Sequence, residues 1–121
     1  MTELVDRIVA RVGVDRATAE KAVGIILDFL SKEGPQDKVQ VLLAKLPGHE
    51  AMMASASDDG GGLFGNVGGI MGVGSRLMGA GLGMSEIQSV IKELVIYSRE
   101  KAAGDALADI ATSIPGLGQY I

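Results

Sequence analysis

Val39-Gln40-Val41-Leu42-Leu43-Ala44-Lys45-Leu46-Pro47-Gly48 and, later in the chain, Leu107-Ala108-Asp109-Ile110-Ala111-Thr112-Ser113-Ile114-Pro115-Gly116 carry one pattern twice. In each, apolar residues recur at i, i+3, i+4 and i+7, which puts them on one face of a helix, and a Pro-Gly pair then stops it. Sliding the chain by the 68 positions that separate the two Pro-Gly pairs also lays Asp37 on Asp105, Gly13 on Gly81 and Val5 on Val73 without a gap. Val23, Ile26 and Leu27 fall on Ile91, Leu94 and Val95, and Phe29 falls on Tyr97. Any two amphipathic helices can be slid into phase. Here two helices, the turn between them and a terminal Pro-Gly stay in phase together, which argues for an internal duplication.

The expected fold is therefore all-α, a six-helix bundle of two pseudo-twofold-related three-helix units within a single domain, 1–121. Unit one covers about 3–54, a Gly-rich connection about 55–69, and unit two about 70–121. In unit one, Val5, Ile8, Val9 and Val12 give an amphipathic first helix with Asp6, Arg7 and Arg11 on its wet side, ended by Gly13. Asp15 caps the second helix, whose apolar face runs from Ala19 to Leu30 before Gly34-Pro35. The third follows Pro35 and stops at Pro47-Gly48, with a short helical turn over Glu50 to Ala54 and a loop from Ser55. In unit two, Ser85-Glu86-Ile87-Gln88 reads as a capping box. No run alternates as a half-buried strand does, so no sheet is expected.

Gly60 to Gly83 is the unusual stretch, with 11 glycines in 24 residues and Arg76 as its sole charge. The repeat assigns Ile70 to Ala80 as the first helix of unit two. Where unit one carries Asp6, Arg7 and Arg11, this helix has Gly74, Ser75 and Gly79. A helix with no charged side is expected to be buried all round, at the centre of the bundle or in a subunit interface. Gly61, Gly65 and Gly69, and the pair Gly68 and Gly72, have the spacing that lets helices approach closely. An apolar linker from Gly60 to Gly69 leading into a packed helix is the alternative reading of the same glycines. Gly65, Gly69, Gly72, Arg76 and Gly79 are the candidate interface or ligand residues. Arg76 stands where unit one has Ile8, so its guanidinium must reach the surface, a carboxylate or an anionic ligand.

Composition narrows the function classes. There is no Cys, which excludes disulfides, thiolate nucleophiles and Cys-ligated metal centres. Eleven scattered Lys and Arg against 15 Asp and Glu argue against a nucleic-acid partner. The uncharged run from Gly60 to Ser75 is shorter than the ~20 apolar residues of a spanning helix. The first residues lack the basic and apolar regions of a secretory signal, so a cytoplasmic location is the default expectation unless a leader has been removed. Gly60-Gly61-Gly62-Leu63-Phe64-Gly65 matches a dinucleotide fingerprint only in letters, with no strand before it. Gly69 to Arg76 has the outer spacing of a P-loop but Ser75 where its Lys belongs. His49, the single histidine, is expected in a solvated loop, and Asp58-Asp59-Gly60 lacks the alternating ligands of a calcium loop. No catalytic residue, metal ligand or cofactor-binding residue is assigned, and no cofactor is expected.

A helical start, a Leu46-Pro47-Gly48 stop, a Gly-rich middle and a closing helical pair resemble small bacterial helical proteins grouped as domains of unknown function with a glycine-rich centre. The resemblance implies an all-helical fold and no activity. The expected function is that of a non-enzymatic structural or protein-interaction protein, self-associating as a homo-oligomer or binding another helical protein. Two alternatives stand beside it. One is a peripheral membrane or envelope-associated protein inserting Leu63, Phe64, Ile70, Met71 and Leu77; the other is a carrier holding an apolar ligand between helices with Arg76 on a carboxylate head.

Overall fold

The computed structural model describes residues 2–46, 48–58 and 69–113, and within these every regular element is an α-helix. There are seven: α1 (Thr2–Val12), α2 (Arg16–Glu33), α3 (Gln36–Ala44), α4 (His49–Asp58), α5 (Gly69–Gly79), α6 (Met84–Glu100) and α7 (Gly104–Ser113). The stops at Pro47 and at Ile114-Pro115-Gly116, and the glycines from Gly60 to Gly68, including Gly65, lie outside the described residues.

Chain turns follow the local chemistry. Gly13 and Gly81 both adopt positive φ, at 86° and 102°, where a side chain would be strained. After α5 the Leu82 N–H returns to the Leu77 carbonyl at 3.2 Å, which closes the helix end. Two expected caps differ. Asp15 sits at the N-cap of α2 but its carboxylate makes no capping hydrogen bond. The N-cap of α6 is Gly83 rather than Ser85: the Gly83 N–H donates to Glu86 Oε1 at 2.8 Å, satisfying one of the donors a helix start leaves free.

The six expected helices become seven because α4 is a full helix. It continues through Ser55 to Asp58, residues that read as a loop for their weak helix propensity. It lies along α2, with Met52 buried and Met53 packed on the core, and packing of this kind overrides propensity.

The core is built on α2 and α6. Ala22, Val23, Ile26, Leu27 and Leu30 of α2 and Val90, Ile91, Leu94 and Tyr97 of α6 are all buried. The first helix of each half packs across the chain: α1 on α6, and α5 on α2. The helices α3 and α7 pack on each other, Val39 and Leu42 being buried on one and Leu107 and Ile110 on the other. Gly34, between α2 and α3, permits this closeness, since a Cβ there would meet the Leu30 carbonyl oxygen at 2.7 Å and Ile110 at 2.9 Å.

A polar seam accompanies the α1 contact with α6. The Arg7 guanidinium donates to both carboxylate oxygens of Glu100, at 2.7 and 2.6 Å, and lies over the Tyr97 ring, 6.0 Å from its centre. Arg11 reaches Glu93, a buried carboxylate, at 3.5 Å. The side of α1 read from sequence as wet is thus partly a lateral contact. The Arg7 hydrogen bond holds the Glu100 carboxyl below the ordinary carboxylate range. A carboxyl with a lowered folded-state pKa contributes stability above its unfolded value and loses it as pH falls through the lowered one. Glu100→Gln should therefore flatten the acid limb of the stability profile in this window, as read by urea unfolding at stepped pH. A limb unchanged by the substitution would show that the pair contributes nothing.

Ser98 is fully buried and its hydroxyl has no hydrogen-bond partner. A buried polar group left unpaired costs about 1–3 kcal/mol. Ser98→Ala should raise stability by roughly 1 kcal/mol in chemical denaturation; a loss of stability of that size would show that the hydroxyl is engaged.

Candidate interaction surface

The glycine-rich helix α5 is not buried all round. Val73 and Leu77 face the core, at 8% and 0% exposure, whereas Ser75, Met78 and Gly79 are exposed and Gly74 is half-buried. The expectation of a helix wrapped by the other five is corrected for the single chain. The reason lies in the α-helical period: Val73 and Leu77, four apart, are enough to seat α5 on α2 and α6, and the opposite side then turns outward whatever its composition.

What α5 presents outward is a face without charge. Met78 projects at 52% exposure, and Met84, just past the turn, is equally exposed. A Cβ built at Gly74 or at Gly79 would have nothing among the described residues within 4 Å. Among the described residues, no close approach requires these glycines. The corresponding positions of α1 carry Asp6, Arg7 and Arg11, which form ion pairs with Arg16, Glu100 and Glu93 respectively. Of the other candidate positions, Gly69 and Gly72 belong to α5 but their surroundings are not described, and Gly65 lies outside the described residues.

Arg76 is turned back toward α2. Its Nη1 lies 3.2 Å from Asp28 Oδ2, with both side chains largely covered, and the same oxygen receives Lys32 at 3.1 Å. A guanidinium held against a carboxylate satisfies the demand that its burial creates. This engages the positive charge that the carrier reading needs free for a ligand. Leu77, part of the expected membrane-insertion surface, is fully buried, and Leu63, Phe64, Ile70 and Met71 have no described side chains. His49 is not in a loop. It opens α4, half-buried, with Nδ1–H donating to the Leu46 carbonyl at 2.9 Å.

Among the described residues no three His, Asp or Glu side chains converge as metal ligands do, and no helix is long and apolar enough to cross a membrane. Sequence reasoning found the uncharged character of α5, and of its two readings the central helix does not hold for the single chain. It missed the α1–α6 seam, because residues 93 positions apart carry no local signal of their pairing.

Open space at Gly74 and Gly79 has a direct consequence. In dilute protein, Gly74→Ala and Gly79→Ala should each raise stability by up to ~1 kcal/mol, the ordinary helix advantage of Ala over Gly. Thermal unfolding at low concentration reads this, and a fall in midpoint would mean that the chain itself packs against these sites. Comparison with the models of protein families, with curated proteins and with solved structures finds no match to this chain.

Proposed function

We propose that this chain is a non-enzymatic interaction protein, built from a duplicated three-helix unit, that self-associates through the outward face of α5. The observation that carries the reading is the combination found at that face: the exposed Met78, no charge, and two glycines that no close approach among the described residues requires. Gly in a helix is a cost to folding. A partner helix approaching from outside gives that cost a use, since small residues let backbones come close and Met adapts to an opposing surface.

The duplication is supported by the helix bounds. Moved by the 68-residue shift, α1, α2 and α3 fall within one residue of α5, α6 and α7 at both ends. The packing partners exchange in the same way: α1 on α6 corresponds to α5 on α2, α1 on α2 to α5 on α6, and α2 on α3 to α6 on α7. The contacts of α2 with α6 and of α3 with α7 map onto themselves. Only α4 has no counterpart among the described residues. Such a pattern is what a twofold relation between halves produces.

The proposal is tested by light scattering over a concentration series, with Gly79→Leu and Met78→Lys as probes. The wild-type chain is expected to show a mass above that of one chain, and both variants to lower it while helical circular dichroism persists. A wild-type chain that stays monomeric at the highest concentration would overturn the reading.

A further inference from the structure

The division of contacts between the two halves has a consequence for how two copies can meet. Take α1 to α4 as unit one and α5 to α7 as unit two. Each unit also packs helices against the other. Leu4, Val5 and Ile8 of α1, all at 0% exposure, belong to a helix that lies against α6 of the other unit, and Leu77 of α5 belongs to a helix that lies against α2. The polar contacts follow the same division. Arg7 with Glu100 and Arg76 with Asp28 both join unit one to unit two.

We propose that unit two is exchangeable between copies, so that the partner this chain fits is a second copy of itself, each unit one closing on the unit two of the other chain. The proposal deepens the self-association reading above but uses a different surface, since it needs the contacts between the units and not the outward face of α5. Every contact of the closed chain is available in the exchanged pair, so no new interface has to be built. Only the covalent connection differs. A tethered unit competes at an effective concentration set by its connection, so exchange is favoured by refolding at high concentration or by anything that weakens closure within one chain.

Charge reversal separates closure within a chain from closure between chains. An acidic variant, Arg7→Glu with Arg76→Asp, sets one introduced carboxylate beside Glu100 and the other beside Asp28 when it closes on itself. A basic variant, Asp28→Arg with Glu100→Arg, sets its two introduced guanidinium groups beside Arg76 and Arg7. In an exchanged pair of one acidic and one basic chain, all four contacts join opposite charges. Each variant alone is expected to lose thermal stability. Unfolded together and refolded in equal amounts, they should give a heterodimer of twice the 12.5 kDa chain mass with the thermal midpoint recovered, read by native mass spectrometry and calorimetry. Two separate destabilised monomers after joint refolding would overturn the proposal.

A second arm covers the event that the reversed chains do not fold. The chain has no Cys, and Lys38 of α3 and Asp109 of α7, exposed and 3.3 Å apart, pair across the two units. A Lys38→Cys chain refolded together with an Asp109→Cys chain should be joined by a short bis-maleimide, whereas the two refolded separately and then mixed should not. No joined product after joint refolding overturns the proposal independently of the charge reversals. Adding Gly79→Leu to both chains keeps the two readings apart: exchange survives it, and association through the α5 face does not.

Discussion

The structure depends on a crossed burial, in which the first helix of each half lies against the second helix of the other. Leu4, Val5 and Ile8 on α1 and Leu77 on α5 are fully buried, on helices that lie against α6 and α2. Burial of one such side chain is worth about 1.5–3 kcal/mol, so these contacts dominate the polar ones around them. They also decide the order of everything else. With α1 and α5 committed across the halves, α2 and α6 are left facing each other at the centre, and α3 and α7 meet beside them.

Polar groups in this arrangement act by excluding alternatives more than by adding stability. Exposed ion pairs contribute little, usually below about 1 kcal/mol. The pairs between halves differ, however, on the two sides of the fold. Where α1 meets α6 the chain offers Arg7 to Glu100 and Arg11 to Glu93, and where α5 meets α2 it offers Arg76 to Asp28. Under the proposed 68-residue shift, Arg76 and Asp28 correspond to Ile8 and Ile96, and Arg11 and Glu93 to Gly79 and Ile25. At these two pairs each seam carries charge where the other carries an apolar or small residue, whereas Arg7 and Glu100 correspond to Ser75 and Lys32. A first helix placed in the wrong seam would bring a charge to a position without a partner.

The outward side of α5 follows from the same commitment. Once Val73 and Leu77 are turned inward, helical geometry sends Ser75, Met78 and Gly79 out. In α1 the corresponding positions make lateral ion pairs with α2 and α6; in α5 they hold no charge with which to make any. This contrast between α1 and α5 is the observation on which the proposed association rests.

Much of this was legible in the sequence, because the relevant signals are local or periodic. Apolar residues at helical spacing mark α1, α2, α3, α6 and α7 directly, and Gly13 and Gly81 announce turns that need positive φ. The proposed 68-residue repeat rests on comparison of the chain with itself. Three things were decided by tertiary structure alone. The length of α4 was set by the surface of α2 against which Met52 packs, in residues whose own propensities point the other way. The orientation of α5 was set by which neighbours exist to cover it, a property of the whole bundle that no stretch of uncharged residues can express. The partners of Arg7, Arg11 and Arg76 were set by helix crossings that bring distant positions together, and the choice between a solvated charge and a paired one rests on that crossing, since periodicity fixes the face of a helix and not what lies opposite it.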